Sequence, residues 1–197
     1  MQDSKKSGRR RVAAEGIPKS SAKKKAHSPG KVSGELVRYI RPADIDGVIV
    51  SGTAFERKLK DKDGVSVTRL GMFSKALEKD LNSIRTVMNS RLKMAATGKL
   101  GQISSVAIAN VGSKTRTALE VMTSPSSGTA FNADKDIGRE LGKNKKFANP
   151  AHAVIVGLPF NEGELDDLEA DLAGDLLARA ISTLHPIQIP SSATAKK

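Results

Sequence analysis

AHAVIVG (residues 151–157), LPF (158–160) and NEGELDDLEADLAGDLLARAISTLHP (161–186) form one uninterrupted stretch. The first segment is apolar at almost every position, which predicts a central strand buried on both faces. Leu158-Pro159-Phe160 turns the chain. Asn161 with Glu164 three residues on approximates a capping box, so a helix is expected to start there. Leu165, Leu168, Leu172, Leu176, Ala180 and Leu184 recur at spacings of three or four, predicting a buried stripe on a long helix that His185-Pro186 ends.

Working outward, the same alternation of types recurs. Ser74 is a natural N-cap, and Leu77, Leu81, Ile84, Met88, Leu92 and Ala95 form a second apolar stripe before Gly98, the expected stop. Residues 47–70 read as a β-hairpin or meander. Within it Gly47–Ser51 and Thr53–Leu59 read as extended, Asp63-Gly64 closes a turn, and Val65–Leu70 alternates as a half-buried strand should. Ile103–Val111 and Thr117–Met122 read as two further strands, 123–136 as a loop, and Ile137–Leu141 as a short helix. The expected fold is therefore α+β: a mostly antiparallel sheet of about five strands packed on two long amphipathic helices.

Charge divides the chain differently. Residues 1–32 hold ten Lys or Arg against Asp3 and Glu15, Lys196 and Lys197 add two more, and residues 33–195 are nearly balanced at +2 of the total +12. Residues 1–33 contain almost no large apolar residue, so a disordered basic tail is expected ahead of a single domain at 34–187 and a flexible tail at 188–197. Arg9, Arg10 and Arg11, and Lys23, Lys24 and Lys25, lie eleven residues apart, the spacing of a bipartite nuclear import signal if the host is eukaryotic. The bland reading is a solubilising tail. With Lys143, Lys145 and Lys146 these are the candidate nucleic-acid contacts, and binding through them would be non-specific and salt-sensitive.

Composition excludes several chemistries. The chain has no cysteine, so disulfides, thiolate metal sites and thiol catalysis are ruled out, and a reducing compartment, the cytoplasm, is expected. No apolar run reaches the length of about 18 residues that suggests a membrane span, so no membrane partner is expected. One Tyr, five Phe and no Trp are too few for a base-stacking platform. Neither phosphate-binding glycine motif is present, and the acidic helix start at 161–169 would repel phosphate. His27, His152 and His185 are scattered, and no serine can be assigned to a triad with His152, which reads as a partly buried structural residue.

Two constellations remain. Asp46 precedes Glu56-Arg57-Lys58 by ten residues, the order that metal-dependent nucleases use when two carboxylates hold magnesium and a lysine positions water; that chemistry needs Thr53–Leu59 to be a strand. Otherwise no cofactor and no metal site are expected. Asp167, Asp171 and Asp175 put three like charges on one helix face, which mildly destabilises the helix and marks a docking face for a basic partner. A solvated acidic face is the plainer alternative. The motif G-x-A-F-x-R (52–57) with GVSVTRL (64–70), AHAVIVGLP and His185-Pro186 resembles a group of small bacterial proteins of uncharacterised function, and that resemblance implies no activity. The leading expectation is a non-enzymatic accessory protein whose domain engages a protein partner and whose tail attracts nucleic acid or acidic partners. The alternatives are the magnesium nuclease and a protein whose main role is tail-driven nucleic-acid binding.

Overall fold

The computed structural model describes residues 30–58, 61, 63–92, 94–95, 97–115, 117–124, 131–132, 146–147, 149–160 and 164–187. Five expectations lie outside these: the basic residues 1–29, the short helix at 137–141, Lys143 with Lys145, the Asn161 cap, and the tail at 188–197.

Strand β1 (Glu35–Ile40) turns Leu36 and Ile40 to one face and Val37 with Tyr39 to the other. That two-sided pattern organises the molecule. β2 (Ile45–Asp46) and β3 (Ile49–Val50) make a small separate ribbon, while β4 (Val65–Arg69), β5 (Lys99–Ser104), β6 (Glu120–Thr123), β9 (His152–Val156) and β10 (Thr183–Pro186) join β1. The six-stranded sheet runs β10-β5-β1-β4-β9-β6 with antiparallel neighbours, for example Leu36 opposite Ile103 and Val67 opposite Ala153. Helix α1 (Leu77–Leu92) covers one face, packing its Leu81 and Ile84 with Val37 and Leu100 of the sheet. Helices α2 (Ser105–Thr115) and α3 (Glu164–Arg179) cover the other, over Leu36, Ile40, Phe55, Ile103, Ile108, Ile155 and Leu177. The fold is thus α+β, with six strands in the main sheet and three helices among the described residues.

Several expected boundaries move, each for a physical reason. Ile103–Val111 is not one strand, because Ser104 Oγ accepts the Ala107 N–H at 3.1 Å and caps a helix there. Ile108, Val111, Gly112 and Thr115 are buried at helical spacing, whereas Val106 is 68% exposed; a strand would put Val106 and Ile108 on one face. Thr53–Leu59 is not a strand either: Gly52–Phe55 forms a 3-10 turn, capped by Ser51, and Glu56–Lys58 is irregular. Asp63-Gly64 does not close a hairpin. Gly64 has φ +121° and a Cβ there would lie 2.3 Å from the Ile155 carbonyl oxygen, so glycine serves the approach of β4 to β9. Phe131–Asn132 lies in the stretch read as loop, yet pairs with Lys146–Phe147 as a second ribbon, β7 with β8.

The end of the second long helix also shifts. α3 stops at Arg179, and Leu184 and His185 belong to β10 at the sheet edge. Pro186 disfavours helical backbone at His185 and is tolerated at the end of an edge strand. At the other edge, Val32 is buried at 5% exposure and its N–H donates to Val121 O at 2.8 Å, so the folded chain begins before Gly34.

Candidate interaction surface

Helix α3 is seated by its small residues. Ala173, Gly174, Leu177 and Ala178 are buried, and a Cβ on Gly174 would lie 2.7 Å from the Gly52 carbonyl oxygen. Backbone thus meets backbone where the helix crosses the 3-10 turn. At about 100° per residue, this places Leu168, Asp171, Leu172 and Arg179 together on the opposite side, while Asp175 stands over the turn with its Oδ1 beside Gly52. Leu168 is 68% exposed and Leu172 52% exposed, so the leucine stripe expected in the core faces outward at these two positions. Asp171, one of the three carboxylates singled out from sequence, is exposed beside them; Asp175 is also exposed but lies over the 3-10 turn. The side chain of Asp167 lies outside the described residues.

The signal missed was Gly174. A glycine inside a helix costs about 1 kcal/mol relative to alanine and calls for a packing reason. Read with Ala173, Leu177 and Ala178, it marks the true inner face; the large leucines drew the stripe away from it.

Two grooves share Arg179, at the C-terminal end of α3. One, of about 470 Å³, lies between the β2–β3 ribbon and the segment that follows α3, with Val48, Ile49, Ile181 and Leu184 in its walls. The other, of about 330 Å³, separates α2 from α3 beside Ala107, Val111 and Leu176. Val48 and Ile49 are 84% and 68% exposed, which extends the accessible apolar surface beyond the helix.

The Asp46, Glu56 and Lys58 set falls elsewhere. Asp46 is exposed on β2, Glu56 caps the 3-10 turn and is half-buried, and the Lys58 N–H donates to Asp61 Oδ2 at 3.3 Å. The strand on which a Glu-x-Lys triplet would present its carboxylate to magnesium is replaced by turn and irregular chain. Among the described residues no group of three or more His, Asp or Glu could hold a metal ion. Lys146, from the basic cluster, lies on β8.

The local polar centre is instead Asp44, which sequence reasoning passed over. It is buried, accepts from Arg41 Nε and Nη2 at 2.7 and 2.9 Å, and accepts from Thr53 Oγ1 at 3.0 Å. Burial alone would raise its pKa, but the hydrogen bonds from Arg41 and Thr53 win and hold it below the usual carboxylate range. Arg38 donates to Ala54 O and Ser66 O beneath the same turn. Burial pushes its guanidinium down to about 10, against the pull of Asp61 and Asp44, so it stays charged at neutral pH. Arg57 stacks 3.7 Å over the Phe160 ring and donates to Leu158 O at 3.0 Å, tying this turn to the approach of α3. Each of these groups is spent on holding the fold.

His152 and His185 are likewise structural. His152 Nδ1 bonds Ser124 O at 2.7 Å and His185 Nε2 bonds Gln102 Oε1 at 2.8 Å. Burial lowers both pKa values below the ordinary 6.5. The unfolded chain therefore takes up protons more readily, and stability is full above 6.5 and falls as pH drops below it. A His152→Gln variant is expected to flatten the fall of Tm between neutral pH and about pH 5. An unchanged slope by calorimetry would refute the assignment.

No family model, no curated protein and no solved structure matches this chain. Among the described residues no helix is long and apolar enough to cross a membrane.

Proposed function

We propose that the chain is a non-enzymatic accessory protein whose domain docks a protein partner on the outward stripe of α3. Its basic N-terminal residues add non-specific attraction for nucleic acid or acidic partners. One observation carries the reading: two leucines on a sixteen-residue helix stand open to solvent between carboxylates, while glycine and alanine hold the inner face. Full burial of a leucine side chain gains roughly 1.5–3 kcal/mol, so a partner covering Leu168 and Leu172 gains affinity that a merely solvated helix forgoes. Asp171 selects a partner segment in which Lys or Arg flanks apolar side chains. The cysteine-free composition suits a reducing compartment: the cytoplasm, or the nucleus in a eukaryotic host.

The test compares tagged full-length protein with a Leu168→Ser/Leu172→Ser variant, purified with nuclease treatment. A protein partner is expected to survive digestion, to weaken with salt, and to bind the variant at least about tenfold more weakly, a loss of about 1.4 kcal/mol. The variant's Tm should be unchanged or higher, since both leucines are exposed. Equal capture by both proteins sinks the reading. So does magnesium-dependent cutting of DNA or RNA that Glu56→Ala abolishes.

A further inference from the structure

We infer that the α3 stripe is covered in cis by the chain's own N-terminal segment, residues 9–17, when no nucleic acid holds that segment. This rests on the reading of the stripe as a docking face and names its resident occupant. Residues 1–29 carry nine Lys or Arg against two acidic residues, a net +7, while α3 carries six Asp or Glu against Arg179, a net −5. The match is apolar as well as electrostatic. Between Gln2 and Gly30 the large apolar side chains are Val12 and Ile17, directly behind Arg9, Arg10 and Arg11. On α3 the exposed leucines Leu168 and Leu172 flank the exposed Asp171.

Reach does not forbid the contact. Gly30, the first described residue, donates its N–H to Thr123 Oγ1 at 2.9 Å on the edge of the sheet. The thirteen to twenty-one residues back to Ile17 and Arg9 extend over about 40–70 Å, whereas a domain of this length has a radius of gyration of about 15 Å. Tethering holds the segment near the face at an effective concentration in the millimolar range, so weak contacts suffice to populate it. Because the same arginines neutralise phosphates, nucleic acid and α3 compete for them, and the bound segment is a brake on the attraction proposed for it.

The cysteine-free chain permits a clean test on the full-length protein. An Ala13→Cys/Glu169→Cys variant keeps both leucines, Asp171 and all three arginines, and is oxidised at low salt and high dilution. Ala13→Cys/Leu77→Cys is the reference, because Leu77 is 46% exposed on α1 across the sheet. The intramolecular disulfide to position 169 is expected to form at least tenfold faster than that to position 77. Duplex DNA, or 0.5 M salt through a Debye length of about 4–5 Å, should bring the two rates together. Equal rates at low salt, or a rate at 169 indifferent to both DNA and salt, overturns the inference. Partner capture by the leucine variant is a separate measurement, so a failed cross-link with capture still lost in that variant condemns the cis contact alone.

Discussion

Gly52→Ala is expected to destabilise the protein by about 3 kcal/mol, at the upper end of what overpacking usually costs. The added Cβ would stand 2.7 Å from Asp175 N and 3.0 Å from Gly174 C, and both are backbone atoms of α3 that cannot swing aside. Its 2.3 Å approach to Asp175 Oδ1 is less costly, since that atom ends a side chain. Relief therefore requires α3 to lift from the 3-10 turn, opening the packing around Phe55, Ala173 and Leu177. For a domain of about 150 residues the loss lowers Tm by roughly 6–12 °C. Gly174→Ala makes the sharper case because two effects oppose each other. Helix propensity alone favours alanine by about 1 kcal/mol, yet the new Cβ would sit 2.7 Å from Gly52 O, so the net change should be destabilising. Gly30→Ala is the control: its nearest neighbour would be Thr123 Oγ1 at 3.8 Å, an ordinary contact. If Gly52→Ala and Gly174→Ala melt like the parent protein in thermal denaturation, α3 is not seated on this turn and the assignment of its outward face fails with it.

That dependence explains how much was legible beforehand. Strand β9 could be read because apolar residues on both faces leave a short run few other uses, and α1 because Leu81 and Ile84 are large and in phase. Ile103–Val111 misled because β-branched residues suit a strand in isolation, whereas the cap at Ser104 acts through one hydrogen bond that composition does not advertise. The inner face of α3 misled for the complementary reason. A helix that crosses a turn at backbone distance selects for the smallest side chains, so its buried stripe is faint and its exposed one conspicuous. Of the aspartates spaced by four, Asp171 belongs to the candidate surface and Asp175 lies over the 3-10 turn. The leucines that give the surface its apolar character were seen but placed on the wrong side. Asp44 was invisible because its role depends on Arg41 and Thr53 folding around it, not on any motif.

The same blindness applies to Asp80, where the second large effect is expected. From sequence, Ser74 caps α1; in the structure the helix begins at Leu77, and Ser74 Oγ accepts only the Ala76 N–H, at 3.2 Å. The turn ahead of the helix is held by Asp80, one turn inside. Its fully buried carboxylate reaches back to accept three backbone N–H groups: Gly71 at 2.7 Å, Phe73 at 2.8 Å and Ser74 at 2.9 Å. Those bonds fold the 71–74 turn down so that Phe73 and Leu70 pack against Val37, Leu81 and Ile84, closing the α1 side of the sheet. Hydrogen bonds to a charged acceptor contribute about 1.5–3 kcal/mol each, and partial rescue by water at the exposed end of the turn brings the expected total for Asp80→Ala to about 3 kcal/mol. Asp80→Asn should cost less, about 2 kcal/mol, because one oxygen remains while the amide donors face a backbone N–H. Hydrogen exchange separates this from a general loss of packing. The amides of Gly71, Phe73 and Ser74 should lose protection first, ahead of Leu100 and Ile103 in the sheet, because opening begins at the turn. Unchanged Tm in Asp80→Ala, or exchange that accelerates uniformly along the chain, would show that α1 is held to the sheet by its apolar face alone.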